Sequence, residues 1–198
     1  SLGITLKTLG QLDEAEAIYR HALQLDPGNA ELQSNLGNTL QELIRLDEAE
    51  TSYRRALQIK PDLAVAHDNL GTNLQTQGRV FEAEASYRKA LQLNPDLAPA
   101  HSNLGTVLMD MGRLAETAAC HRKALEIDPD YAAGHHNLAI AMAYLSDFEQ
   151  VVAESNTAIR LNAEESQRSV DSSSSALRLT PGAAMGWEQR LYAFSYHP

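Results

Sequence analysis

Four asparagines spaced 34 residues apart, Asn35, Asn69, Asn103 and Asn137, are the residues whose type and spacing point most directly to chemistry. Each carboxamide presents a donor and an acceptor, the pair of groups needed to hold a peptide unit without reading its side chain. Asparagine competes with the backbone for hydrogen bonds and suits a helix interior poorly. Four such choices in register imply either a row of ligand contacts or a row of bonds to neighbouring helices that steadies the array. The other reactive side chains point to less. His67, His101 and His135 keep the same step, but equivalent positions in stacked helices lie about 10 Å apart. A zinc ion takes its ligands at about 2 Å, so a packing role in place of an aromatic is expected. Cys120 and His121 are neighbours, and neighbours on a helix point about 100° apart, so they form no nucleophile–base pair and the thiol is expected to be buried and inert. With no glycine-rich phosphate loop and no supported carboxylate pair, no catalytic residue, metal ligand or cofactor is expected.

The elements that must position these residues are helices. In residues 30–43, apolar side chains fall at Leu32, Leu36, Leu40 and Leu43, one stripe on a helix. Residues 46–59 repeat this with Leu46, Ala49, Tyr53, Ala56 and Leu57, and Asp47 and Glu48 sit in the first turn, where the helix dipole favours acids. Pro61 closes the pair, because the residue before a proline is pushed out of helical geometry. Pro27, Pro95 and Pro129 keep the same beat. Gly10, Gly78 and Gly112 fall between paired helices, where a left-handed residue is wanted. Gly37, Gly71 and Gly105 lie inside first helices, at about 1 kcal/mol each relative to alanine. They imply a tight helix crossing, with Ala49 and Ala83 expected opposite.

A strict 34-residue period in a chain of 198 means stacked two-helix units rather than one core built once. The units are read at 1–29 (truncated), 30–63, 64–97, 98–131 and 132–165. The fourth drifts at Thr117 and His121, the fifth at Ala139, Val151, Ser155 and Ala163. After Leu161 the beat fails, and Ala158-Ile159-Arg160-Leu161 returns too early as Ala176-Leu177-Arg178-Leu179. The serine-rich tract at 166–175 predicts a linker or slipped half-repeat over 166–182. Residues 183–198, with Trp187, Leu191 and Phe194, predict a helix that packs back as a cap.

The totals narrow the partners. With 16 basic and 26 acidic residues, net charge −10, the chain lacks the basic stripe that phosphate binding needs, so nucleic acid is not expected. No apolar run approaches the ~20 residues of a membrane span, so no membrane partner is expected. One cysteine excludes an intrachain disulfide and fits a reducing, cytoplasmic compartment.

The order Leu70, Gly71, Ala83, Tyr87, Ala90 and Pro95, echoed in the other units, closely resembles the tetratricopeptide repeat (TPR). Over residues 1–161 that resemblance implies an all-α, right-handed superhelix whose first helices line a concave groove that binds polypeptide. Asn35, Asn69, Asn103 and Asn137 are the expected peptide contacts, with Asn38, Gln41, Thr72, Gln75, Thr106 and Asp110 beside them. Helix pairs stack at about 10 Å and an extended chain rises about 3.3 Å per residue, so a rung would meet every third residue of a bound strand. Family members that clamp a C-terminal carboxylate need basic residues around the first helix of the third unit, where Val65, Asp68 and Asn69 stand instead. The Asn-Leu-Gly form also resembles the N-terminal arm of protein O-linked N-acetylglucosamine transferases. Residues 187–198, ending Tyr196-His197-Pro198, are similar to the segment joining repeats to catalytic domain in bacterial and SPINDLY-like relatives, although Gln189 and Arg190 depart from it. That implies the substrate-gathering arm of a glycosyltransferase, itself without catalysis. The rival is a stand-alone scaffold protein, self-associating through the apolar face of its truncated first unit.

Overall fold

The computed structural model describes residues 2–8, 10–145 and 148–178. They form ten α-helices and, among the described residues, no strand. The pairs are α1 (Leu2–Thr8) with α2 (Leu12–Leu25), α3 (Ala30–Glu42) with α4 (Leu46–Ile59), α5 (Ala64–Thr76) with α6 (Val80–Leu93), and α7 (Ala98–Asp110) with α8 (Leu114–Ile127). A fifth pair, α9 (Ala132–Tyr144) with α10 (Phe148–Arg178), completes the array. Each helix packs on the next in the chain, and the first helices α3, α5, α7 and α9 also touch one another in sequence. First helices that approach each other this way form the inner, concave side of an α-solenoid.

One core runs through the first four pairs, built on Tyr19, Tyr53 and Tyr87 with Leu36, Leu40, Leu70, Leu74, Leu104 and Leu108. The interior glycines serve those tyrosines. A Cβ on Gly37 or Gly71 would stand 2.6 Å from the ring of Tyr53 or Tyr87. Both rings are fully buried, so neither can swing away. The atoms nearest each glycine belong to the tyrosine one turn after Ala49 or Ala83, so the glycine makes room for the ring.

Gly10, Gly78 and Gly112 adopt φ of 74°, 76° and 74°, and Ile44 holds the same turn position at φ 61°. Gly78 N–H bonds back to Gln75 at 2.8 Å and Arg79 N–H to Leu74 at 2.9 Å, the geometry that requires this turn. An L-residue there costs about 1–2 kcal/mol, and the Ile44 side chain, 77% exposed, recovers little by burial. Glycine loses about 0.5–1 kcal/mol more chain entropy on folding. Ile44→Gly is thus expected to stabilise the fold by roughly 0.5 kcal/mol or more, seen as a higher urea midpoint; a lower midpoint would contradict the strain.

The outer face carries an ion ladder at the repeat spacing. Arg45, Arg79 and Arg113 each bridge a glutamate of the preceding second helix, Glu16 (2.6 Å), Glu50 (2.8 Å) or Glu84 (2.6 Å). Each also holds the glutamate three residues on, Glu48, Glu82 or Glu116, at 2.6–2.7 Å. Hydrogen bonds from the arginines keep those three carboxyls below the usual carboxylate range. Exposed pairs contribute little singly, but a ladder of this kind fixes the stagger of one pair on the next.

Residues 166–175, read as part of a linker or a slipped half-repeat, lie within helix α10. α10 runs unbroken to Arg178 and, at 31 residues, is more than twice the 14 of α4. No glycine or proline interrupts it, and serine in a helix costs only about 0.5 kcal/mol relative to alanine. The cap expected at 183–198 lies outside the described residues. Among the described residues, no helix is long and apolar enough to cross a membrane.

Candidate functional site

The ladder asparagines reach across the seams between first helices. Asn69 Nδ2 donates to Ser34 Oγ at 3.4 Å, Asn103 Nδ2 to Asp68 Oδ1 at 3.1 Å, and Asn137 Nδ2 to Ser102 Oγ at 3.3 Å. The acceptor is each time the residue just before the asparagine of the preceding pair. Asn35 has no such rung among the described residues. The bond to a neighbouring helix is therefore made, at lengths near the limit for a hydrogen bond in two of three cases. It engages one N–H and leaves Oδ1 and the second N–H of each amide, and all four asparagines remain half-buried rather than sealed.

Four expected residues come together. Asn38, Gln41, Asn69 and Thr72 line one cavity of about 300 Å³ with Lys7 and Glu42, whose ion pair ties α1 to α3 at 2.9 Å. The core tyrosines hold its polar wall from behind. Tyr53 Oη lies 2.7 Å from Asn38 Oδ1 and 3.0 Å from Gln41 Oε1, and Tyr87 Oη lies 3.2 Å from Thr72 Oγ1 and 3.0 Å from Gln75 Oε1. A hydroxyl has one proton, so it donates to one partner of each pair and accepts from the other; for Tyr53 this turns one amide end for end. Burial pushes both hydroxyls well above the usual ionisation range, so they stay protonated. Gln75, Thr106 and Asp110 lie outside this cavity: Thr106 Oγ1 turns back onto the Ser102 carbonyl at 3.1 Å, and Asp110 is exposed at the end of α7.

The histidine row does more than pack. His67, His101 and His135 are half-buried, and each donates from Nε2 to the carbonyl of Pro61, Pro95 or Pro129 at 2.9–3.0 Å. Each latches the preceding turn to its first helix. His121 is different. It occupies the place of Tyr53 and Tyr87, under Gly105, with no exposed surface and neither nitrogen hydrogen-bonded. Burial pulls its pKa down to about 4. Beside it Cys120 is half-buried, and burial raises its thiol above the usual range, which makes it a poor nucleophile at neutral pH.

Two features were legible only as register. The ion ladder repeats Glu16, Glu50, Glu84 against Arg45, Arg79, Arg113 at the 34-residue step. Asp68 counts in the sequence only against a carboxylate clamp, yet it shares its place with Ser34 and Ser102. It is 8% exposed, and burial pushes its carboxyl above the usual range while the Asn103 amide opposes this.

Three family models match the chain: Tetratricopeptide repeat over residues 7–70, TPR repeat over 76–112, and a second Tetratricopeptide repeat over 98–131. No curated protein matches it. Among solved structures, PilF of Pseudomonas aeruginosa is similar at 23% identity and TM-score 0.75, over 96% of this chain and 94% of that one. MamA is similar at 22% identity and TM-score 0.70, over 84% of this chain and 98% of that one. YrrB, described as a TPR protein with an unusual peptide-binding site, is similar at 25% identity and TM-score 0.62, over 80% and 82%. The residues that carry the repeat, the paired helices and these likenesses agree: the chain is a tetratricopeptide-repeat protein.

Proposed function

We propose that the concave face binds extended polypeptide through the asparagine rungs. The observation that carries this is a row of half-buried amides on the inner side, each with an uncommitted Oδ1, of which Asn69 lines one cavity with Asn38, Gln41 and Thr72. Such a row suits main-chain recognition, which repeats along any strand. The peptide-binding site named for YrrB supports the same class of partner. We read the array further as the cytoplasmic recognition arm of an O-GlcNAc-transferase-like enzyme, on its Asn-Leu-Gly form and the sequence at 187–198. The gene beyond Pro198 tests that: a glycosyltransferase domain in frame supports it, and a stop codon soon after leaves a stand-alone adaptor.

Changing Asn35, Asn69, Asn103 and Asn137 together to alanine tests the groove. Each lost rung removes about 0.5–1.5 kcal/mol, and alanine returns about 0.6 kcal/mol of helix propensity at each site. The helical circular-dichroism spectrum is therefore expected to persist with a small change in melting temperature. Titration with a short fluorescein-labelled peptide rich in serine, threonine and alanine is expected to show binding lost. Unchanged affinity would sink the proposal.

A further inference from the structure

We propose that Asp68 makes the groove select polypeptide carrying a lysine or arginine side chain at its central rung; this rests on the groove binding extended chain. Asp68 holds the position before the ladder asparagine that Ser34 and Ser102 hold in the flanking pairs. Those serines accept the asparagine amide of the next helix without any charge. The rung therefore does not require a carboxylate. Yet in the middle of the array a carboxylate stands, 8% exposed, accepting from Asn103 Nδ2 at 3.1 Å.

A carboxylate offers about four acceptor sites, and a charge removed from water needs a partner of opposite sign. Burial raises the Asp68 carboxyl and the Asn103 amide opposes this, and among the described residues no lysine, arginine or histidine offsets the buried charge. Its placement says where a partner must come from. Asp68 lies one turn before Thr72 on α5, hence on the same face, and Thr72 lines the inner cavity. The Asp68 charge also raises the Tyr87 hydroxyl, which bonds Thr72. The carboxylate thus borders the inner surface that the rungs occupy. The other acid of that cavity, Glu42, is already answered by Lys7. An ammonium or guanidinium group from a bound strand would give Asp68 a charge-assisted hydrogen bond, while the amides on either side hold the backbone.

The test uses two short fluorescein-labelled peptides rich in serine, threonine and alanine, identical except for lysine or norleucine at the centre. The wild-type protein is expected to bind the lysine peptide about tenfold more tightly, with the preference shrinking as salt rises. Asp68→Ser, which installs the residue of the flanking pairs, is expected to bring both peptides to one affinity and to melt no lower than the wild type. Equal affinities for the wild type, or a preference that survives in Asp68→Ser, would overturn the anchor. Failure of both peptides to bind the wild type would instead overturn the groove reading itself.

Discussion

Replacing His121 by tyrosine is expected to remove a loss of stability of about 2 kcal/mol between pH 7 and pH 5. The imidazole titrates near 4 in the fold against 6.5 when unperturbed, because burial disfavours its charged form. Above pH 6.5 both folded and unfolded chains carry it neutral, and it contributes nothing. As pH falls through 6.5 the unfolded chain takes a proton that the fold refuses. Stability then drops by up to about 1.4 kcal/mol per pH unit, reaching about 3 kcal/mol near pH 4. The arginine-bonded glutamates Glu48, Glu82 and Glu116 act lower, since their carboxyls are held below an ordinary value of 4.5. Tyrosine suits the site because Tyr53 and Tyr87 fill its equivalents under the same glycine, and Thr106 stands in register with Thr72, the Tyr87 partner. Urea midpoints of both proteins at pH 7 and pH 5 decide the matter, and parallel shifts would refute it. His121 lies on α8 where the main core gives way to the smaller cluster of Ala118, Leu138, Ala141 and Met142. The fourth and fifth pairs are therefore expected to lose amide-exchange protection first in acid.

Tyr87→Ala is expected to destabilise the protein by about 3–5 kcal/mol, the range for a buried aromatic cut to alanine. The ring has no exposed surface and fills the space under Gly71, so its removal leaves a hole that the rigid first helix cannot close. Tyr87→Phe separates packing from polarity. It keeps the ring and loses the hydroxyl, at about 1 kcal/mol, and it releases Thr72 and Gln75 at the groove wall. The variant should stay folded and bind the labelled peptide more weakly. Wild-type affinity in Tyr87→Phe would show that the tyrosine supports the stack alone.

The helices were legible because their signals are local. The apolar stripe read over 30–43 is the helix Ala30–Glu42, and that over 46–59 is Leu46–Ile59. The left-handed turn was visible at three glycines and hidden at Ile44, where the residue type argues against the backbone it adopts. The serine tract left a linker or a slipped half-repeat open, because its composition suggests flexibility while nothing in 148–178 forbids a helix. At the site, the resemblance to the TPR implied that Asn38, Gln41, Asn69 and Thr72 lie on the inner side, and the cavity they share is also lined by Lys7 and Glu42, which meet across α1 and α3.

The sequence by itself determined the repeat, its register and which side chains share one face of each helix, since a 34-residue period and helical periodicity need no knowledge of contacts. Only the tertiary structure decided what those side chains meet. The offset of one helix on the next brings Asn103 to Asp68 rather than to Asn69, and the crossing of a pair sets Gly71 against the ring of Tyr87. Offset and crossing angle arise from packing between helices, so they are properties of the stack and of no single stretch of chain.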